Sequence, residues 1–323
     1  MPSTILVTGG AGYVGSHACK ALRAAGHEPV AYDNLVRGHR AAVKWGPFEQ
    51  GDITDRQALR TVLRRYRPAA VMHFAALAYA GESVTDPAAY YGTNLAGSLS
   101  LLEAMRTEGV RDIVFSSTCA VYGQCALSRI PETAPRQPVS PYGFTKLSIE
   151  RMLADYDAAY GLRSIALRYF NAAGADPDGE IGEWHDPETH LIPLVLQAAS
   201  GHRPHVDIYG DDYPTPDGSC VRDYIHVADL ADAHVRALKL LLAQGGTPAM
   251  NLGTGQGHSV KQVVEAARQV TGRPIRAELR PRRPGDPPSA IADATLAMRV
   301  LGWQPRFRSL DSMLETAWRW MQR

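Results

Sequence analysis

The run Thr8-Gly9-Gly10-Ala11-Gly12-Tyr13-Val14-Gly15 constrains the fold of this chain more than any other segment. It follows the β-rich stretch Thr4-Ile5-Leu6-Val7-Thr8 and precedes a helix-like stretch from Val14 to Ala25 that Gly26 stops. The run satisfies G-x-G-x-x-G through Gly10, Gly12 and Gly15, and G-x-x-G-x-x-G through Gly9, Gly12 and Gly15. One glycine makes the tight turn, another lets the backbone approach a pyrophosphate, and the last lets the helix pack close to the strand. The helix N-terminus then offers free N–H groups and a positive dipole end to phosphates. A second short strand, Pro29-Val30-Ala31-Tyr32, ends at Asp33, where a carboxylate accepts from a ribose 2′-OH. A carboxylate there repels a 2′-phosphate, so the predicted dinucleotide is NAD rather than NADP. Asp52-Ile53, after a third strand, reads either as a rest for the adenine edge or as a surface turn.

Strand-like runs continue at Val71-Met72-His73-Phe74 and Ile113-Val114-Phe115, with helix-like stretches near Gln57 to Tyr66 and Leu95 to Glu108 between them. This alternation predicts parallel strands with right-handed crossovers, hence an α/β fold with a Rossmann-type doubly wound sheet over residues 1–170. Beyond about residue 170 the pattern loosens into loops at Ala172 to Pro187, Gly210 to Ser219 and Arg280 to Ser289. Residues 171–323 therefore read as a smaller α/β substrate-binding domain, with segments returning to the first domain. Loops on a rigid scaffold form ligand surfaces.

Lys plus Arg is 34 and Asp plus Glu is 33, a balance that argues against a nucleic-acid or membrane partner. No apolar run is long enough to span a bilayer, and Met1-Pro2-Ser3-Thr4 leads straight into the first strand without a secretory signal, so the expected location is the cytoplasm. Cys19, Cys119, Cys125 and Cys220 show no paired spacing and read as reduced, mostly buried side chains. No metal centre is expected.

Pro141-Tyr142-Gly143-Phe144-Thr145-Lys146 opens a further helix, and residues four apart share a helical face. A lysine ammonium beside a phenol lowers its pKa from about 10. Tyr142 then reads as a base that takes a proton from a sugar hydroxyl. The polar run Ser116-Ser117-Thr118 follows the strand Ile113 to Phe115, at the carboxyl end where open α/β sheets hold ligands. Thr118 is placed to bond the same hydroxyl, whereas Ser116 and Ser117 read more simply as satisfied loop hydroxyls.

Taken together, Thr8 to Gly15, Asp33-Asn34, His73-Phe74-Ala75-Ala76, Ser116-Ser117-Thr118, Tyr142-x-x-x-Lys146 and Arg168-Tyr169-Phe170-Asn171 resemble the extended short-chain dehydrogenase/reductase superfamily. Within it, Gly81-Glu82-Ser83-Val84, Val221-Arg222-Asp223-Tyr224-Ile225-His226-Val227 and Pro281-Arg282-Arg283-Pro284-Gly285-Asp286 resemble the UDP-galactose (UDP-glucose) 4-epimerase family. The resemblance runs to about Trp303. It implies a tightly held NAD that is reduced and reoxidised within one turnover, and a 4-keto sugar that turns over in the pocket. Tyr142, Lys146 and Thr118 would be catalytic. Gly9, Gly12, Tyr13, Val14, Gly15, Asp33, Asn34, Asp52, Ile53, Phe74, Ala75, Ala76, Asn94, Ser116, Tyr142, Lys146 and Tyr169 would hold the cofactor. Thr118, Tyr142, Asn171, His190, Leu191, Tyr209, Arg222, Arg283, Asp286 and Ala290 would hold the UDP-sugar. It also implies a homodimer formed near Asn94 to Glu108 and Ser148 to Tyr160.

The family's most studied bacterial form has serine at Thr118, lysine at Ala78, asparagine at His190 and a bulky tyrosine at Ala290. A small residue at Ala290 implies room for an N-acetyl group on the sugar. Phe74-Ala75-Ala76-Leu77-Ala78-Tyr79 and Ser117-Thr118-Cys119-Ala120 also resemble UDP-arabinose 4-epimerases. A 4,6-dehydratase would carry Asp-Glu after the threonine, where this chain has Cys119-Ala120. A net dehydrogenase would have to release its reduced cofactor. From a different class, a non-catalytic NAD-binding sensor would lose the tyrosine or lysine, and both are present.

Overall fold

Short aliphatic runs bounded by glycine turns build one seven-stranded sheet, and the amphipathic stretches between them build its covering helices. The computed structural model describes residues 3–246, 249–283 and 285–323. Met1-Pro2, ahead of the first strand, and Pro284 of the Pro281 to Asp286 motif lie outside the described residues.

The chain begins β1 (Thr4–Thr8), α1 (Tyr13–Ala24), β2 (Glu28–Asp33), β3 (Phe48–Gln50), α2 (Arg56–Tyr66) and β4 (Ala70–His73). Two short helices follow, α3 (Ala80–Thr85) and α4 (Pro87–Tyr90), then a π-helical segment (Tyr91–Ala96) that runs into α5 (Gly97–Glu108). Next come β5 (Asp112–Thr118), α6 (Pro141–Tyr160) and β6 (Arg163–Tyr169). The second half contains β7 (Asn171–Ala173), α7 (Leu191–Ala199), β8 (Val206–Tyr209), β9 (Val221–His226), α8 (Val227–Gln244) and β10 (Met250–Leu252). It ends with β11 (Gly257–Ser259), α9 (Val260–Thr271), β12 (Ala277–Arg280), β13 (Ser289–Ala290), α10 (Thr295–Leu301) and α11 (Leu310–Met321).

The large sheet has the order β10-β6-β5-β4-β1-β2-β3 and is parallel throughout. Strand order reverses between β1 and β4, which opens a crevice at the carboxyl ends of both strands. Successive strand residues point to opposite faces. Ile5, Val7, Met72 and Leu167 pack with Leu22 of α1 and Leu230 and Leu238 of α8. Leu6, Val71, Ile113 and Phe115 pack on the other face with Leu59 of α2, Leu101 of α5 and Ile149 of α6. Burial on both faces explains why these strands read as unbroken apolar runs.

In the second half, β9 pairs with β11, β13 and β7, and β8 pairs with β12. Ile192, Val195, Val263, Val264, Met313 and Leu314, from α7, α9 and α11, form their own core. β10 returns to the large sheet beside β6, and α8 packs against α1.

Two boundaries differ from the sequence reading. β5 continues through Ser116, Ser117 and Thr118, which pair with Leu167, Arg168 and Tyr169 and are buried. Polar residues survive there because their hydroxyls are partnered: Ser116 with the Tyr169 hydroxyl at 2.6 Å, Ser117 with Glu150 at 2.6 Å. The helix expected from Leu95 is regular only from Gly97, where a Cβ would meet Ile53 Cδ1 at 2.7 Å. The Ile53 side chain, in the turn after β3, fills the space beside Gly97 and would have to move to admit a side chain there.

Candidate active site

The glycine loop has the geometry that its residues dictate. Gly9 sits at φ +73, a left-handed conformation that a side chain disfavours, and a Cβ there would meet Ala75 N at 2.6 Å. A Cβ on Gly15 would collide with the Gly9 carbonyl oxygen. Gly12 caps α1 without a side-chain acceptor, so the cap itself leaves the first N–H groups of the helix unpaired.

Asp33 closes this end. Its carboxylate accepts from Ala11 N at 3.1 Å and Leu35 N at 2.8 Å, tying the glycine loop to the end of β2. Burial holds its pKa above the ordinary carboxylate value. Asp52 is fastened by Asn34 Nδ2 at 2.7 Å, Thr54 N at 2.8 Å and Thr54 Oγ1 at 2.6 Å, and these bonds lower its pKa against the opposing effect of burial.

At the other end, Ser140 caps α6 by accepting from Gly143 N at 3.2 Å, and Pro141 starts the helix. This sets Tyr142 and Lys146 in its first turns. The Thr118 hydroxyl accepts from Ala120 N at 3.1 Å and lies close enough to the Tyr142 phenol to favour its ionised form. Lys146 is 3% exposed, and its ammonium donates to the Ser116 carbonyl at 2.8 Å, 4.9 Å from the Phe115 ring centre.

The expected electrostatic coupling is not what this geometry gives. Burial dominates and pushes the Tyr142 phenol above its ordinary value, with only the Thr118 hydroxyl acting to lower it. Burial likewise pulls Lys146 from 10.5 down to about 7. The helical spacing does put both residues on one side of α6. The lysine stem, however, is long enough to reach the β5 backbone instead of the phenol.

Beneath these groups, Arg168 donates to Glu150 at 2.9 and 2.6 Å and to the Tyr122 hydroxyl at 2.9 Å. Tyr122 donates to Asn251 at 2.7 Å. The network joins β5, α6, β6 and β10 directly under Thr118.

Both ends open into one cavity of about 520 Å³ at the β1–β4 crevice. Its walls include Gly9, Gly12, Tyr13, Val14, Gly15, Asp33, Asn34, Asp52 and Ile53 at the glycine-loop end. Phe74, Ala75, Ala76, Ser116, Thr118, Tyr142, Lys146, Tyr169, Asn171, His190 and Leu191 complete the set that the sequence analysis also singles out.

Residues 5–253 match the model of the NAD dependent epimerase/dehydratase family. The chain belongs to this family. A UDP-glucose 4-epimerase of Rhizobium meliloti (strain 1021) is 52% identical, over 99% of this chain and 98% of its own. The structure of a Brucella ovis UDP-glucose 4-epimerase in complex with NAD superposes with a TM-score of 0.95 at 52% identity, covering 98% of this chain and 97% of that one. A Stenotrophomonas maltophila UDP-glucose 4-epimerase with bound NAD and formylated UDP-arabinopyranose gives 0.96 at 43% identity, covering 99% and 98%. The residues present fit the family's dinucleotide: a tight glycine turn that leaves no room for a Cβ at Gly9, Gly10 or Gly15, a helix N-terminus without a side-chain cap, and a carboxylate at the end of β2.

Six residues singled out from sequence lie away from the cavity wall. Asn94 is buried, with its amide bonded to Leu77 N at 2.8 Å, Leu77 O at 3.0 Å and Thr145 Oγ1 at 3.2 Å. It fixes the wall residue Leu77. Tyr209, Arg222, Arg283 and Asp286 form a second group, with the Arg283 guanidinium 3.9 Å from the Tyr209 ring centre and Arg222 3.4 Å from Asp286. Arg222 acts electrostatically on Cys119, a wall residue, so this group adjoins the cavity. Ala290 pairs with Arg222 across β13 and β9 and lies in a buried cluster with Val121, Tyr122 and the wall residue Phe170.

Sequence reasoning missed several wall residues, including Arg37, Thr93, Glu183, His185 and Tyr224. Glu183 and His185 belong to the run Glu183-x-His185-x-x-Glu188-x-His190, whose alternation of histidine and glutamate was a signal available in the sequence.

Proposed function

We propose that this protein interconverts UDP-galactose and UDP-glucose by NAD-dependent inversion at C4 of the sugar, in the cytoplasm. The observation that carries this reading is the placement of Tyr142, Thr118 and Lys146 in the same cavity as the glycine cradle, so that a proton acceptor and a dinucleotide site share one crevice.

NAD, when bound, supplies a reversible hydride acceptor and a positive charge. Tyr142 takes the proton from the sugar 4-OH and returns it after the 4-keto sugar has turned over. Thr118, beside the phenol, accepts or donates a hydrogen bond to the sugar hydroxyl as the proton moves. Lys146 stays anchored on Ser116 O and would bond the nicotinamide ribose when NAD is present. Phe74, Ala75 and Ala76 at the end of β4 flank the cofactor, and Tyr169 braces Ser116. Asp33 accepts from the adenosine ribose, and the buried carboxylate rejects a 2′-phosphate there. Asn171, His190 and Leu191 contact the UDP-sugar from the wall. Arg222 and Arg283 supply fixed positive charge to the diphosphate, and Asp286 accepts from the uridine ribose. Two chains pair as a homodimer through α5 and α6, where Leu99, Phe144 and Tyr160 are exposed apolar side chains.

The test is a panel of UDP-hexoses, UDP-N-acetylhexosamines and UDP-pentoses, assayed for 4-inversion without added NAD. Conversion of UDP-galactose, with a reduced-nicotinamide absorbance appearing on the purified protein, is the expected result. Absence of inversion across the whole panel refutes the reading.

A further inference from the structure

The loop between β7 and α7 carries a cluster of which the proposed chemistry uses only His190. Glu183, His185, Glu188 and His190 each bring one ligand atom to a common point, and these atoms all lie within 4.8 Å of one another. Their closest approaches are 2.7 Å for His190 Nδ1 to Glu183 Oε1, 3.3 Å for His185 Nδ1 to Glu183 Oε1, 3.4 Å for His190 Nδ1 to Glu188 Oε1, and 3.6 Å for His185 Nδ1 to Glu188 Oε2. A tetrahedron of N and O ligands at about 2.0–2.1 Å from a cation has edges of roughly 3.3–3.4 Å. The observed separations bracket that value.

Hydrogen bonding alone does not account for the arrangement. Glu183 Oε1, His185 Nδ1 and His190 Nδ1 are buried and have no hydrogen-bond partner of acceptable geometry. The Glu183 side chain is 6% exposed and that of Glu188 is 7%. Two buried carboxylates aimed at two imidazole nitrogens need positive charge between them, which either protonated rings or a bound cation supplies.

Two other carboxylate clusters show how this fold usually meets that need. Lys20 fills the group Asp176, Asp178 and Glu180 at 2.7 Å from each. Arg280 and Arg276 fill the group at Asp207 and Glu278. Among the described residues, no lysine or arginine ion pair reaches Glu183 or Glu188; only the two histidines do. Glu188 is also oriented from behind, since its Oε1 accepts from Thr189 N at 2.7 Å and His190 N at 2.8 Å. Outer bonds of this kind set metal-ligating carboxylates.

We propose that Glu183, His185, Glu188 and His190 are the four ligands of a divalent first-row cation, zinc by donor set, which locks this loop against the cavity wall. Two imidazoles and two carboxylates suit such an ion, and its charge balances theirs when both rings are neutral. With Nδ1 committed to the metal, the His190 proton resides on Nε2, so a ring that lines the cavity becomes a fixed neutral donor. The loop is already tied to the glycine-loop side by Arg37, which donates to Asp186 O at 2.9 Å, and by His39, whose ring stacks on Trp184 at 3.9 Å. The cysteine pattern gave no reason to expect a metal; the alternating glutamates and histidines do. The proposal shares His190 with the epimerase reading but does not depend on it, because metal content and cobalt binding are read without turnover.

The test uses the full-length protein with its bound cofactor. Elemental mass spectrometry should find one zinc per chain. Metal-depleted protein titrated with Co²⁺ should develop the ligand-field absorption of a four-coordinate site at one equivalent. Glu183→Gln, which keeps the side-chain volume, should bind Co²⁺ at least about 100-fold more weakly. His205→Asn, in the arginine-filled cluster, should bind it as the wild type does. Should Glu183→Gln not fold, chelation of the wild type should lower its melting temperature, with recovery on one equivalent of Zn²⁺. A wild type without zinc that gives no cobalt spectrum overturns the proposal. So does an unchanged cobalt affinity in Glu183→Gln, or a melting temperature indifferent to chelator.

Discussion

Replacing Arg168 by methionine tests the network that supports the catalytic residues. Arg168 is 3% exposed and makes three bonds, two to Glu150 and one to the Tyr122 hydroxyl. Methionine fills similar space but leaves the Glu150 carboxylate buried, with only the Ser117 hydroxyl bond and Arg136, whose nitrogen lies 3.7 Å away and whose side chain is half exposed. Removing one partner of a buried ion pair costs about 3–5 kcal/mol. Arg136 can swing inward, so we expect about 3 kcal/mol, which for a chain of this size lowers the melting temperature by roughly 4 °C. Melting is followed by calorimetry at saturating NAD, because bound ligand shifts apparent stability. The double variant Arg168→Met, Glu150→Leu removes both charges and should recover about half or more of the loss, since an apolar replacement of a buried pair is often close to neutral. A single variant that melts within 2 °C of the wild type, by the same scale, refutes the reasoning. A double variant whose loss equals the sum of the two single losses refutes it too, because uncoupled residues add.

Tyr142→Phe should retain NAD and UDP yet lose turnover by about 10²–10⁴-fold, as expected for a positioned general base; near-normal kcat removes Tyr142 from that role. Lys146 titrates at about 7 in the folded protein against 10.5 ordinarily, so between those values the unfolded chain binds the extra proton and stability rises with pH. Cofactor-free wild type should therefore gain stability over Lys146→Met as pH climbs from 7 toward 10, measured by urea unfolding, and equal slopes would contradict this. Because Ala290 clusters with the wall residue Phe170, Ala290→Tyr should lower kcat/KM for UDP-N-acetylglucosamine far more than for UDP-galactose. A wild type with no activity on the N-acetyl sugar sinks the argument that a small residue there leaves room.

The first half of the molecule was readable because local chemistry determines it. Strands buried on both faces leave aliphatic runs, and a loop that any Cβ would fill leaves glycines at fixed spacing. The second half was not, because its strands are short and its cavity-facing residues sit on long loops whose course depends on tertiary contacts. Asn94 lies in a segment that carries no signal of π winding, so its inward amide could not be inferred. Ser116 to Thr118 looked like a loop because polarity usually marks one. Their burial depends on partners at Glu150 and Tyr169, which lie 33 and 53 residues away. Lys146 was matched to the correct helical face, but spacing says nothing about where a flexible side chain ends.

The return of β10 to the outer edge of β6 has a consequence for biogenesis. While the ribosome is still making residues 171–249, the nascent sheet presents β6 with an unsatisfied backbone edge, and α1 waits for its packing partner α8. A fragment stopped at residue 170 keeps the glycine cradle but exposes that edge, and should self-associate rather than act as a free-standing nucleotide module.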